Sequence, residues 1–123
     1  MSKIMIVDDN RDMVRILQKI MKKDHHEIDV AYNGDEFLKK VGTAKPEVVL
    51  LDVMMPGIKT RDILSELKRR NLDDLKVILV TAIRLSDEQV RSLANEYNIV
   101  DYITKPFDAL DLLIRVRNTV RGS

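Results

Sequence analysis

The chain has 123 residues, of which 45% are hydrophobic and 33% are charged, so its length and composition fit one globular domain over residues 1–123. Its 21 basic and 20 acidic residues leave a net charge of +1, which gives no reason to expect nucleic acid or an anionic membrane surface as a partner. The absence of cysteine excludes disulfides and thiolate metal sites.

Short apolar segments alternate with amphipathic segments along the whole chain. The apolar segments are rich in Val, Ile and Leu, which is typical of strands buried on both faces of a parallel sheet. The alternation predicts βαβ units with right-handed crossovers and hence an α/β fold. We predict strands at residues 3–7, 27–31, 47–51, 76–80 and 99–103. In the first predicted helix, hydrophobic residues recur at Met13, Ile16, Leu17, Ile20 and Met21.

Polar residues at the predicted helix ends agree with this division. Asn10 is placed to cap the first helix, and Ser86 with Gln89 forms a capping-box pattern at the start of the fourth. Asn98 lies where the fourth helix must stop, and asparagine tolerates the left-handed conformation used at helix ends. The apolar face of the fourth helix is predicted to consist of Val90, Leu93, Ala94 and Tyr97.

Acidic residues end two of the predicted strands. Asp8 and Asp9 follow the first strand, and Asp52 follows the third. Ligands gather at the carboxyl ends of parallel strands, so the three carboxylates converge in one crevice if these strands are neighbours. At ~4 Å and an effective dielectric of ~20, two like charges repel by ~4 kcal/mol, and a cation relieves this repulsion. Mg²⁺, which prefers oxygen ligands, fits such a site best.

Two further polar residues follow strands at the same predicted edge. Thr81 ends the fourth apolar run, and Lys105 follows the fifth. A hydroxyl group, a fixed cation and a metal-binding acidic cluster together suit the holding of a phosphoryl group. Taken singly, each residue also fits an ordinary role: acids at a helix N-terminus, a turn aspartate, a strand threonine and a solvated lysine.

The motifs occur in the order Asp8-Asp9, Asp52, Thr81-Ala82, Lys105-Pro106, within the longer segments PEVVLLDVMMPG at 46–57 and DYITKPF at 101–107. With this order and spacing, residues 3 to about 121 resemble the receiver domain of two-component response regulators. The resemblance implies a flavodoxin-like, doubly wound parallel sheet of five strands in the order 2-1-3-4-5, sandwiched between helices. Receiver proteins are a standard example of the strand order 2-1-3-4-5. The residue pattern alone does not predict this order.

The resemblance also implies a role for each site residue. Asp52 is expected to be the phosphoacceptor and to bind Mg²⁺ (or Mn²⁺) together with Asp8, Asp9 and the backbone carbonyl of Met54. The remaining roles concern the phosphoryl group and the response to it. Lys105 and the backbone of Ala82 are expected to contact the phosphoryl oxygens, Thr81 and Tyr102 to act as the switch, and the Lys105–Pro106 peptide to be cis.

Phosphoryl donors and partners follow from the same resemblance. The donor is expected to be a sensor histidine kinase or a histidine phosphotransfer protein, and the chain is expected to be a signalling domain rather than an enzyme. Its apolar runs are far shorter than the ~20 residues of a membrane span, so we expect a soluble protein in the cytoplasm. On the last helix, Leu110 and Ile114 lie beside the predicted core stripe. They either widen that stripe or form a partner or homodimer surface with the fourth helix and fifth strand.

The chain departs from the family pattern at two places. In the segment 58–63, Thr60 is placed to cap the third helix, but Arg61 occupies a position where we expect an apolar residue. The resemblance implies that positions 54 and 83 flank the phosphoryl group. They are occupied by Met54 and Ile83, and neither side chain can orient an attacking water. We therefore predict slow loss of the phosphoryl group from the isolated domain.

Three other functions share features with the receiver hypothesis. A haloacid-dehalogenase-like phosphatase needs a second acid two residues after its nucleophile. That acid is missing here, because Met54 stands two residues after Asp52 and Asn10 two residues after Asp8. A flavodoxin-like flavin carrier needs phosphate donors in the first strand–helix turn, which is acidic here. A receiver-like module that binds partners without phosphorylation is disfavoured because all five site residues are present: Asp8, Asp9, Asp52, Thr81 and Lys105.

Overall fold

The computed structural model describes residues 2–72 and 74–121, without the side chain of Arg121. The terminal residues Gly122 and Ser123 therefore lie outside the described residues. The strands are Lys3–Val7 (β1), Glu27–Ala31 (β2), Val48–Leu51 (β3), Lys76–Thr81 (β4) and Ile99–Thr104 (β5). The helices are Arg11–Lys23 (α1), Gly34–Ala44 (α2), Thr60–Arg69 (α3), Asp87–Glu96 (α4) and Ala109–Arg121 (α5).

The strands form one parallel sheet of five strands in the order β2-β1-β3-β4-β5, which confirms the predicted order and fold class. Successive side chains of a strand point to opposite faces, so each central strand contributes to two cores. Met5 and Val49 face the cluster that α2 and α3 cover, whereas Ile4 and Val48 face the cluster that α1 and α5 cover. The result is a three-layer α/β/α sandwich.

The register of the central strands determines which residues meet beyond the carboxyl edge of the sheet. Val7 pairs with Leu51, and the backbone N–H of Asp52 donates to the carbonyl of Val7 over 3.0 Å. The residues that follow β1 and β3 are therefore side by side. At the same edge of the sheet, beyond β4 and β5, the N–H of Lys105 donates to the carbonyl of Thr81 over 2.8 Å.

Two of the predicted helix starts are confirmed by their capping hydrogen bonds. The side chain of Asn10 accepts from the N–H of Met13 over 3.1 Å. Ser86 and Gln89 form the reciprocal capping box, with distances of 3.1 and 2.9 Å. Both caps satisfy backbone donors that the first helical turn leaves without partners.

Two predictions about helix ends are wrong. Thr60 is the first residue of α3 rather than its cap, and its hydroxyl donates to the carbonyl of Val53 over 3.4 Å. The residue that ends α4 is Tyr97, which has an extended conformation. Asn98 follows it and does not have the positive φ of the left-handed conformation. The amide of Asn98 instead donates to the carbonyl of Leu75 over 3.0 Å, which ties the start of β5 to β4.

Helical spacing overestimated how deeply two helices pack. In α1, Ile16 is 48% exposed, and the buried face consists of Val14, Leu17, Ile20 and Met21. In α4, none of the described residues Asp87–Glu96 is buried, and Ala94 is exposed. Among the residues that the structure describes, we find no helix long and apolar enough to cross a bilayer.

Candidate functional site

Three carboxylates meet at the carboxyl edge of the sheet. Asp8, Asp9 and Asp52 each offer one oxygen, and these oxygens lie within 4.8 Å of one another. Asp8 is 1% exposed and Asp52 4% exposed, whereas Asp9 faces the solvent. The cluster therefore has two buried walls and one open side through which a ligand can enter.

Backbone donors orient the two buried carboxylates. Oδ1 of Asp8 accepts from the N–H of Asn10 over 2.9 Å, and Oδ1 of Asp52 accepts from the N–H of Met54 over 2.9 Å. Each bond joins an aspartate to the residue two positions later, as in the turns that commonly follow strands. In both residues the second oxygen, Oδ2, is directed towards Lys105.

Lys105 is the cation of the site. Its Nζ lies 2.7 Å from Oδ2 of Asp8 and 3.5 Å from Oδ2 of Asp52, and its side chain is only 14% exposed. The Lys105–Pro106 peptide is cis. One ammonium group thus contacts both buried carboxylates, but it cannot neutralise all three acids of the cluster.

The electrostatics of Asp52 reflect this incomplete compensation. Burial raises the pKa of the Asp52 carboxyl above its ordinary value, and the negative charge of Asp8 raises it further. The Met54 N–H and Lys105 lower the pKa of Asp52 without reversing the shift. A divalent cation fits this donor set, because it would be bound by carboxylate oxygens and would favour the ionised form of Asp52.

Thr81 is the last residue of β4, and Tyr102 lies on the neighbouring strand β5. Thr81 is fully buried, and its Oγ1 accepts from the N–H of Ile83 over 3.2 Å. Tyr102 is half-buried, and its hydroxyl donates to the carbonyl of Ile83 over 2.8 Å while accepting from the N–H of Leu85 over 2.7 Å. The loop between β4 and α4, which also contains the exposed Ala82, is therefore attached to both side chains.

The residues two positions after Asp52 and Thr81 are apolar. Met54 is 55% exposed and Ile83 is 39% exposed, and each is two residues after a site residue. Neither side chain offers a carboxylate, amide or hydroxyl group that could hold a water molecule near Asp52.

Leu110 and Ile114 are not part of the core. They are 61% and 44% exposed on α5, so the wider core stripe considered for this helix is wrong. The buried side chains of the described part of α5 are Leu112 and Val116. The exposed pair remains available for contacts with another protein.

Sequence reasoning missed a set of polar contacts between α3 and α4. Arg61, the residue that departs from the family pattern, forms an ion pair with Glu96 at 2.6 Å. The two residues are 35 positions apart and lie on helices whose relative placement no local pattern predicts. A charged residue at an expected apolar position was the one available signal.

The family model for the response regulator receiver domain matches residues 4–117 of this chain. Response regulator protein TrrA from Thermotoga maritima, solved in complex with Mg(2+)-BeF, is 31% identical to this chain. That match covers 97% of this chain and 99% of TrrA, with a TM-score of 0.80.

Two other solved structures have similar folds. The Francisella response regulator 1452 receiver domain is 25% identical to this chain. The match covers 99% of this chain and 98% of the Francisella domain, with a TM-score of 0.86. A CheY-like receiver domain protein from Methanospirillum hungatei is 24% identical, with coverages of 99% and 95% and a TM-score of 0.87. At this identity the second likeness supports the fold alone.

Proposed function

Because this chain belongs to the response regulator receiver domain family of two-component systems, we propose that Asp52 accepts a phosphoryl group and that the chain relays its phosphorylated state to a partner. The observation that carries the proposal is the convergence of Asp8, Asp9 and Asp52 within 4.8 Å beside the ammonium group of Lys105. Such an arrangement is costly for folding alone, since it leaves like charges close together.

The proposed donor is a phosphohistidine of a sensor kinase or phosphotransfer protein. A carboxylate oxygen of Asp52 forms a bond to phosphorus as the P–N bond of the donor breaks. The donor imidazole leaves with the electron pair of that bond and takes up a proton, and the product is an acyl phosphate on Asp52. The ammonium group of Lys105, already directed at Oδ2 of Asp52, is placed to balance charge on the phosphoryl oxygens.

We propose that Mg²⁺ (or Mn²⁺) binds to Asp8, Asp9, Asp52 and the backbone carbonyl of Met54. When bound, the ion supplies screening of the negative charges that approach one another during transfer. The open side of the cluster at Asp9 gives an ion access. TrrA, whose structure contains Mg(2+)-BeF, supports this proposal by similarity.

The response to phosphorylation is proposed to begin at Thr81. A phosphoryl group adds charge and hydrogen-bond acceptors, so the Thr81 hydroxyl and the Ala82 N–H gain new acceptors in the phosphorylated protein. Tyr102 senses the change because its hydroxyl is bonded to Ile83 and Leu85 of the same loop. Only contacts that differ between the two states can shift their populations.

The proposed role is that of a signalling domain, which assists its own phosphorylation and loses the group slowly. A phosphorylation-independent interaction module would share the fold, but it would have no need for the buried charges of Asp8, Asp52 and Lys105. The phosphatase alternative lacks the second acid after its nucleophile. A cytoplasmic location, expected from the family, stays a prediction.

We propose that a partner or a second copy of the chain binds the surface formed by α4, β5 and α5, with Leu110 and Ile114 at its centre. Exposed apolar side chains on one helix favour such a contact. Substituting both residues by Glu should abolish any self-association that Mg²⁺ with beryllofluoride induces, as measured by sedimentation. Association unchanged by the double substitution would place the interface elsewhere.

Incubation with acetyl phosphate and Mg²⁺ tests the phosphoacceptor role. Intact-mass spectrometry should show a gain of one phosphoryl group in the wild type. The gain should be lost in Asp52→Ala and in the presence of EDTA, but kept in Asp12→Ala, an exposed acid of α1. A gain that persists in Asp52→Ala would reject the assignment.

A further inference from the structure

Helix α4 differs from the other four helices in having no buried residue among those that the structure describes. None of the described residues Asp87–Glu96 is buried, although Val90 and Leu93 are partly covered. A helix normally derives most of its stability in a protein from an apolar face packed on a core. Leu93 and Tyr97 still pack against the core on this face of the sheet, and polar contacts near the two ends of α4 add to this limited packing.

Helix α3 holds the C-terminal end of α4 through three polar contacts. Arg61 forms its ion pair with the Glu96 side chain at 2.6 Å, and Nζ of Lys68 donates to the Glu96 carbonyl over 3.2 Å. The hydroxyls of Ser65 and Tyr97 lie 2.7 Å apart. Arg61, Ser65 and Lys68 are spaced so that they share one face of α3.

The N-terminal end of α4 is held differently. Tyr102 anchors the loop that precedes the helix through its bonds to Ile83 and Leu85. The N–H of Ile83 donates to Thr81, so this end is linked directly to the phosphoryl site. The α3 contacts at the other end involve none of the site residues.

We propose that the contacts of Arg61, Ser65 and Lys68 with Glu96 and Tyr97 form an α3–α4 latch that holds α4 in its unphosphorylated position. The inference rests on the proposed phosphoacceptor function of Asp52. A displacement of α4 by more than about 1 Å would take the latch contacts out of hydrogen-bond range. Phosphorylation can then move α4 only by breaking the latch contacts. The latch therefore raises the concentration of a phosphoryl analogue that is needed to move α4.

The latch also accounts for the charge at position 61. Arg61 keeps its contact with Glu96 only while Glu96 stays in place. Both side chains are about half exposed, at 51% and 50%, so the pair is screened by solvent. Pairs of this kind change equilibria by about 1.5- to 5-fold.

Charge reversal in a double-mutant cycle tests the latch. Titration of Mg²⁺-loaded protein with beryllofluoride, followed by amide NMR signals of residues 82–102, gives the half-saturating concentration. Arg61→Glu and Glu96→Arg should each lower that concentration by about 2- to 5-fold. The double variant Arg61→Glu/Glu96→Arg restores an ion pair and should return to the wild-type value.

Arg69→Glu is the matched control, because it makes the same charge change on α3 but breaks a pair with Glu66 inside that helix. It should leave the half-saturating concentration unchanged. Hydrogen exchange of the α4 amides gives a second readout, which should quicken in Arg61→Glu and not in Arg69→Glu.

The outcomes separate the two proposals. Normal beryllofluoride binding with the same half-saturation in Arg61→Glu and wild type would overturn the latch alone. A lowered value in Arg69→Glu as large as that in Arg61→Glu would also overturn it, since general charge would then explain the effect. If the wild type does not bind beryllofluoride, the phosphoacceptor proposal fails and the latch fails with it.

Discussion

The ammonium group of Lys105 donates to Oδ2 of Asp8 over 2.7 Å, although the two residues are 97 positions apart in the chain. Both side chains are largely removed from solvent, with 14% and 2% exposure. The contact exists because β1 and β5 end at the same edge of the sheet. It brings a fixed cation to a cluster that otherwise contains only acids.

Removing this cation should destabilise the protein in the absence of metal. Lys105→Met leaves the buried Asp8 and Asp52 without their ion-pair partner, so we expect a loss of about 1–3 kcal/mol in the free energy of unfolding at neutral pH. Urea denaturation in EDTA measures this loss. Lys39→Met, at an exposed position on α2, is the control and should be neutral. An equally stable Lys105→Met would show that the pair contributes nothing.

Mg²⁺ should stabilise the folded protein through the acidic cluster. At a concentration ten times the dissociation constant, a ligand that binds only the folded state adds about 1.4 kcal/mol. The melting temperature should therefore rise with Mg²⁺, and Asp9→Asn should weaken this rise because it removes one ligand oxygen. Asp12→Asn, on the exposed side of α1, should retain the full rise. A rise of undiminished size in Asp9→Asn would place the ion elsewhere.

The raised pKa of Asp52 makes a prediction about stability and pH. A carboxyl whose pKa is raised on folding favours the folded state while it is protonated, below its ordinary value of 3.8, and this contribution is lost as pH rises through the raised value. In EDTA at pH 7, Asp52→Asn should therefore melt at a higher temperature than the wild type. The gain should disappear on acidification below pH 3.8. A gain that is independent of pH would exclude this cause.

The apolar neighbours of Asp52 predict a slow return to the unmodified state. Met54→Asn should speed loss of the phosphoryl group several-fold, because an amide can hold the attacking water and a thioether cannot. The decay of phosphorylated protein after removal of acetyl phosphate measures this rate. Ile114→Asn changes an exposed apolar residue on α5 and should leave the decay unaltered. Loss from the wild type within seconds would contradict the prediction.

Much of the fold follows from residue patterns. The apolar runs ended by Asp8 and Asp52 predict β1 and β3 because strands covered on both faces need uninterrupted Val, Ile and Leu. The predicted strand at 47–51 begins one residue before β3, and Thr81 and Thr104 each extend their strand by one residue beyond the prediction. Asn10 and Ser86 mark helix starts because their side chains satisfy free N–H groups.

The contacts of α4 could not be predicted from the sequence. Helical spacing at Val90, Leu93 and Ala94 indicates an apolar face, but it does not say whether a core lies opposite that face. Arg61 and Glu96 meet only because α3 and α4 lie side by side, which depends on the whole sheet. The site itself was predicted through the order of its motifs and the family resemblance, since each residue alone fits an ordinary role.

Chemical trapping of the phosphorylated residue tests the central claim most directly. Protein treated with acetyl phosphate and Mg²⁺ is reduced with borohydride, which converts an aspartyl phosphate to homoserine, and the product is digested and sequenced by tandem mass spectrometry. We predict homoserine at position 52 and at none of the other aspartates. Homoserine at a different position, or none under conditions where intact mass shows phosphorylation, would contradict the account.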